Sequence, residues 1–205
     1  ATCIYNPLNY NEILKNSKKK SKKIFTNKRQ LKILNIGRFT DQKDQITFLK
    51  ALNQIKKIIK FEAIIVGRGK LHKDLLEYIE RNDLTNFVKI INFVENPFTL
   101  LKQTELFILS SKYEGLPNVL LEALTLRKFI ISSNCPTGPK EILLNGKGGL
   151  LFNVGNHNQL SRKILYYVKN KKKCLKMLRY AIQNLYRFGY QKNLKKYLNL
   201  VNQII

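Results

Sequence analysis

Leu106-Phe107-Ile108-Leu109-Ser110-Ser111 is followed at once by Lys112-Tyr113 and then by Glu114-Gly115-Leu116-Pro117-Asn118-Val119-Leu120-Leu121-Glu122. The apolar run has the length and make-up of a buried strand. Gly115 and Pro117 shape a tight loop, and a proline suits the first position of a helix, so a helix is expected to open near Pro117. Glu114 then lies in the loop at the strand's carboxyl end. Glu122 lies about one turn inside the helix, and the two carboxylates are expected to face one ligand in the same crevice.

On either side of this stretch the pattern repeats. Strand-like runs of four to seven residues at Leu31–Ile36, Phe61–Val66, Val88–Phe93, Phe129–Ser133 and, more weakly, Leu150–Asn153 join Leu106–Ser110 to give six expected strands. Between the first two, Phe48, Leu52, Ile55 and Ile59 fall on one helical face, and Leu71, Leu75 and Ile79 do so after the second. Short, uniformly apolar strands alternating with amphipathic helices predict an α/β fold: a Rossmann-like parallel sheet of about six strands, with helices on both faces and right-handed crossovers. Leu160, Ile164 and Tyr167, then Leu194, Leu198 and Val201, predict two closing helices. Residues 1–30 show no strong period, so order is expected from Leu31, with the lysine run Lys18 to Lys23 read as a solvated linker.

Open sheets of this kind bind ligands outside the carboxyl ends of their strands. The informative residues collect there: Gly37-Arg38 after the first strand, Gly67-Arg68-Gly69 after the second, Glu114-Gly115 after the fourth, and Cys135-Pro136-Thr137-Gly138-Pro139 after the fifth. Gly37-Arg38-Phe39-Thr40-Asp41-Gln42-Lys43 places two cations where a strand hands over to a helix, beside the unpaired N–H groups of a helix N-terminus. That is a phosphate-sized anion site. Gly67-Arg68-Gly69 lacks the third glycine of a dinucleotide fingerprint and by itself reads as a tight turn. His72 and His157 have no partners at useful spacing and read as surface residues. The sequence holds no metal-ligand cluster, no Ser-His-Asp arrangement and no Asp-x-Asp pair, so cations are expected to neutralise any bound phosphate without a metal or cofactor.

With 205 residues and 44% apolar content the chain fills a real core, and its formal net charge of +25 attracts anions. From Ile142 to Ile205 there are thirteen cations and not one Asp or Glu, and a second basic block runs from Lys15 to Lys32. These cations are either solvated faces of a lysine-rich composition or attraction to anionic lipid headgroups, with nucleic acid the third choice. Cys3, Cys135 and Cys174 are too few and scattered for a disulfide framework or a zinc site. No apolar run reaches the length of a membrane span, and Ala1 to Tyr10 lacks the apolar core of a signal peptide. A cytoplasmic protein is expected, peripheral at the inner face of the cell membrane.

Gly37-Arg38 with Lys43, Ile64-Ile65-Val66-Gly67, Phe93-Val94, and above all Glu114 through Ala123 resemble the nucleotide-sugar-binding half of a GT-B glycosyltransferase of family 4, also called group 1, whose members are retaining. The resemblance runs from about Ile4 to Ile205 and includes Tyr5-Asn6-Pro7, similar to the stretch that joins the family's two domains. It implies that Arg38 and Lys43 hold the donor diphosphate beside Gly37, helped by N–H groups of the helix opening across Gly115, Leu116, Pro117, Asn118 and Val119. It implies that Glu122 accepts hydrogen bonds from the ribose, that Glu114 contacts hydroxyls of the transferred sugar, and that Val94 and the Gly67 turn border the base. Cys135 to Glu141 resembles a loop of transferases that build surface polysaccharide or lipopolysaccharide, implying a glycan or lipid-linked acceptor. Arg68 departs from the family, which more often has an acidic or small residue there.

The same resemblance implies a second, acceptor-binding domain ahead of residue 1–30, the connector, with 31–205 as the donor-binding domain. Weak donor binding and little transfer are expected of this chain unless another polypeptide supplies that half. Two other functions fit the residues: a nucleotide-sugar epimerase of the same architecture, and a nonenzymatic basic binding module.

Overall fold

A computed structural model describes residues 4–27 and 29–203; Ala1, Cys3 and Ile205, which figure in the expectations above, lie outside the described residues, as does position 28 within the basic block. Six parallel strands form one sheet in the order β3-β2-β1-β4-β5-β6: β1 (Leu31–Ile36), β2 (Phe61–Val66), β3 (Val88–Ile91), β4 (Leu106–Leu109), β5 (Phe129–Ser133) and β6 (Leu150–Phe152). Every residue of β2, β4 and β5 is buried, which only helices on both faces allow in a parallel sheet. Ile33, Leu34, Phe61, Ile64, Phe107 and Ile131 form its centre, and burying each such side chain stabilises the fold by about 1.5–3 kcal/mol.

The covering helices are α1 (Tyr10–Ser17), α2 (Gln45–Ile55), α3 (His72–Arg81), α4 (Phe98–Gln103), α5 (Asn118–Thr125), α6 (Pro139–Ile142), α7 (His157–Lys169), α8 (Lys171–Gln183) and α9 (Tyr190–Val201). The stripe Phe48, Leu52, Ile55 on α2 is fully buried, as is Leu75 on α3, while Ile59 falls just past the end of α2. The chain's first crossovers leave β1 toward β2 and β3. The strand order then reverses at β1/β4, and loops leaving these two neighbours splay apart into a crevice.

Four expectations are corrected. Order starts well before Leu31: α1 packs on α4, Asn9 caps it through Glu12 N–H, and Phe25 is buried. Eight residues are too few to show a period, and the helix is stabilised by docking instead. The segment is also pinned to the sheet by the buried carboxylate of Glu62 on β2, which accepts from Thr26 N at 2.8 Å and Lys89 Nζ at 3.0 Å. Burial alone would push Glu62 up, but Lys89 and the backbone donors outweigh it and hold it below the usual carboxylate range.

The third strand stops at Ile91, and Phe93 stands exposed. Three helices rather than two close the fold. The last is not seated on Leu194 and Leu198, which are 38% and 52% exposed, but on the buried Asn193. Its amide accepts from Tyr5 N at 3.0 Å and donates to Arg187 O at 2.9 Å, so a polar anchor does what the apolar spacing was expected to do. Finally, Pro117 is extended (φ −71°, ψ 96°) and precedes the helix, which begins at Asn118.

Candidate functional site

β1 delivers Gly37-Arg38 and β4 delivers Ser110 to Glu114 into the crevice. A short helical turn at Asp41–Lys43 follows Arg38, and Asp44, in the left-handed region at φ 45°, caps α2 by accepting from Thr47 N at 3.3 Å. The N-terminus of α2 is thus occupied by a carboxylate, which corrects the expectation that its N–H groups complete the anion site. The turn is instead tied to the β4 loop: Lys112 N donates to Gln42 O at 2.8 Å, and Gln42 Nε2 donates to Tyr113 O at 3.0 Å.

This stitching brings together residues 71 apart in sequence, with Lys43 Nζ 2.6 Å from Glu114 Oε1. The two side chains are only 18% and 8% exposed, so the contact is a charge-assisted bond largely shielded from water. The same Glu114 oxygen accepts from Ser111 Oγ at 2.6 Å, Ser110 Oγ donates to Lys43 O at 2.9 Å, and Ser133 Oγ donates to Ser111 O at 2.6 Å. Lys43, expected at the donor diphosphate, and Glu114, expected at the transferred sugar, touch each other. Arg38, by contrast, is exposed and makes no ion pair among the described residues.

Glu114 is also held from the fifth strand's loop. Thr137 Oγ1 donates to Glu114 O, and Gly138, at φ 77°, lies so close to Gly115 O and Pro117 that a Cβ would collide with both. Glycine is therefore required at 138. Gly115 itself faces open space. No side chain caps α5, so the N–H groups of Asn118 and Val119 have no intrahelical acceptor, as an anion site needs. Leu116 is half-buried against the core.

Glu122 is half-buried on the second turn of α5 and makes no side-chain hydrogen bond or ion pair among the described residues. Burial pushes its pKa up. Such a carboxylate gains from hydroxyl donors, since part of its hydration is already lost.

Beside Arg38 lies a cavity of about 410 Å³ lined by Gly37, Gly67, Arg68, Phe93 and Val94 among others, within the size range of small-ligand sites. A side chain at Gly67 would strike Gly37 O and the Phe39 ring, so this glycine lets the β1 and β2 loops close together. The Arg68 guanidinium sits 5.1 Å from the Phe93 ring centroid, a cation–π contact at the rim. A larger cavity of about 700 Å³, between β6, α7 and α8, contains none of the expected site residues.

His72 is not a bare surface residue: it stacks on Phe39 at 5.6 Å. Cys135 and Cys174 are buried with free thiols that burial pushes up. Sequence reasoning missed Asp44, and it quoted Ser111 and Thr137 without seeing that they hold Glu114. Only Ser110-Ser111, polar and placed directly after an apolar run, carried a signal.

Fold and site together define a Rossmann-like domain in which a lysine and a glutamate meet at the carboxyl ends of β1 and β4, a few residues ahead of a helix with no side-chain cap. Residues 16–184 match the family described as glycosyl transferases group 1, and the chain belongs to that family. An uncharacterized glycosyltransferase of Methanocaldococcus jannaschii, MJ1059, is 41% identical over 111 residues, covering 54% of this chain and 27% of the relative. The GalNAc-alpha-(1->4)-GalNAc-alpha-(1->3)-diNAcBac-PP-undecaprenol alpha-1,4-N-acetyl-D-galactosaminyltransferase of Campylobacter jejuni is 28% identical over 174 residues, covering 84% of this chain and 48% of the relative. The chain thus spans between about a quarter and a half of the length of these relatives. Among solved structures, Anabaena Alr3699/HepE in complex with UDP superimposes with a TM-score of 0.82 at 20% identity, covering 98% of this chain and 57% of that one. That likeness concerns the fold.

Proposed function

We propose that the chain is the donor-binding part of a retaining glycosyltransferase that takes a sugar from a nucleoside diphosphate and passes it to an envelope polysaccharide or a lipid-linked glycan. The observation that carries this reading is the meeting of Lys43 and Glu114 at the carboxyl ends of β1 and β4, with Arg38 on the same loop as Lys43 and the uncapped start of α5 on the same loop as Glu114. Arg38, Lys43 and the Asn118 and Val119 N–H groups hold the diphosphate. Gly67 and Val94 border the base, Glu122 accepts from the ribose, and Glu114 accepts from hydroxyls of the transferred sugar. The UDP bound by the Anabaena structure and the undecaprenol-linked glycan in the Campylobacter enzyme's name support the two substrate classes.

Breaking the glycosidic bond leaves negative charge on the diphosphate and oxocarbenium character on the sugar. Two fixed cations at the leaving group, in place of a metal, lower that barrier, and losing one such donor costs about 3–4 kcal/mol in other enzymes. Because the chain spans half or less of its curated relatives, transfer is proposed to require an acceptor-binding domain, in the same or another polypeptide.

The test is calorimetry with UDP-, GDP- and ADP-hexoses, joined by turnover assays in an intact enzyme. One donor should bind. Arg38→Ala and Lys43→Ala should each lower turnover by on the order of a hundredfold, and Glu122→Gln should weaken donor binding about tenfold, as losing a hydrogen bond to a charged group does. Unchanged turnover in both cation variants would reject the assigned roles, and release of an altered sugar nucleotide without any acceptor would mark an epimerase.

A further inference from the structure

Lys43 and Glu114 are assigned above to different parts of the donor, the diphosphate and the sugar, yet the structure bonds them to each other at 2.6 Å. From this contact, and resting on the donor-binding reading, we infer that Glu114 selects against the free nucleoside diphosphate: it competes for Lys43 and yields it only to a ligand that also brings sugar hydroxyls.

Both partners are held in place. Glu114 Oε1 takes a second bond from Ser111 Oγ at 2.6 Å, its backbone carbonyl takes one from Thr137 Oγ1, and the Lys43 carbonyl takes one from Ser110 Oγ at 2.9 Å. Ser110 and Ser111 are fully buried, so the Glu114 carboxylate and the Lys43 backbone are held in place, and the lysine ammonium is the part left to swing. A phosphate that approaches Lys43 therefore has two obstacles: an ammonium already bonded to an anion, and the repulsion of that anion itself.

The outcome depends on what the rest of the ligand offers. A nucleoside diphosphate draws Lys43 away and leaves Glu114 a largely buried carboxylate with a single hydroxyl donor, an arrangement that is strongly unfavourable. A nucleotide sugar brings its own hydroxyl donors to Glu114 as it takes the lysine, so both charges stay paired. Discrimination arises from what the wrong ligand leaves unpaired rather than from any extra contact with the right one. The same exchange weakens the hold on the leaving nucleotide once the sugar has gone, because Glu114 can then reclaim Lys43.

The experiment is calorimetry on the folded chain with UDP, GDP and ADP, each free and as its hexose conjugate, for the wild type, Glu114→Gln, Lys43→Ala and the double variant. Circular dichroism and the thermal midpoint confirm folding, and Glu114→Ala serves as a second way of removing the competitor. Glu114→Gln should bind the free diphosphate about tenfold or more tightly than the wild type, a shift of roughly 1.4 kcal/mol per factor of ten. It should bind the hexose conjugate no more tightly. The double variant should gain nothing over Lys43→Ala, which places the effect on the contact between the two residues. A wild type that binds, with the same preference between diphosphate and conjugate in both Glu114 variants, overturns this inference alone. No heat from any nucleotide overturns the donor reading and this inference with it.

Discussion

Lys128 shows how a single side chain can set a pH dependence away from the ligand mouth. It precedes β5, and its ammonium donates to Lys102 O at 2.7 Å. Burial lowers its pKa from 10.5 to about 8, partly offset by Glu105 and reinforced by Lys102 and Lys32. The folded chain therefore releases this proton before the unfolded chain does. Between about pH 8 and 10.5 the unfolded state binds more protons, so stability from this group rises with pH and the burden is greatest below pH 8. Relative to Lys128→Met, the wild type should gain roughly 1–2 kcal/mol from pH 7 to pH 10, after discounting for the solvent that reaches the ammonium. Urea unfolding of both proteins across that range checks it, and a constant gap would refute it. Single residues also mark the limit of what the sequence discloses. Glu114 was legible because an apolar run, a glycine and a proline frame it. Its bond to Lys43 was not, because no local pattern links positions 71 apart. Asp44 was read past because a capping carboxylate is recognised only when its φ and its partner are known.

Secondary-structure elements were legible in proportion to their burial. All six strands fall where largely apolar runs placed them, β1, β2 and β5 to the residue, because a strand covered on both faces is mostly apolar. Helices resting on one face were read less well. α1 was missed, and α9 was given an apolar seat that in fact lies outward, with Leu198 52% exposed. What seats α9 is Asn193, 1% exposed, which bonds Tyr5 N at 3.0 Å, Arg187 O at 2.9 Å and Gly189 O at 3.0 Å. Asn193→Leu should thus destabilise the chain by about 1–3 kcal/mol, since it removes the acceptor of Tyr5 N and the side-chain donor to Arg187 O, while Gly189 O keeps its bond from the backbone N–H of residue 193. The loss should appear first as faster amide exchange at Tyr5 and along α9. Leu198→Ala, by comparison, should change stability by less than about 0.5 kcal/mol. If the two substitutions cost the same, the polar anchor is not what holds the helix.

Across the chain as a unit, charge is the property that composition announced most plainly and structure constrains least. The net charge is +25, and the acid-free sequence beyond Glu141 supplies α7, α8 and α9 with cations interleaved among exposed Leu175, Tyr180, Tyr190 and Tyr197. No helix among the described residues is long and apolar enough to cross a membrane. We propose attachment to an anionic bilayer surface, at about 1 kcal/mol for each cation brought near it. Vesicles containing phosphatidylserine should retain the chain in flotation, neutral vesicles should not, and raising salt from about 0.05 to 0.3 M should release it as screening shortens to a few ångströms. Retention by RNA alone would point to the basic binding module instead. The order of the sheet has a separate consequence, for biogenesis. β1 is synthesised first but lies at the centre, and its neighbour on one side, β4, follows 73 residues later. At the ribosome's pace of about 5–20 residues per second, that edge stays open for roughly 4–15 seconds. During that interval the nascent polypeptide presents one unpaired edge of a central strand even after β2 has paired with the other, so chaperone demand should fall on synthesis rather than on the finished fold.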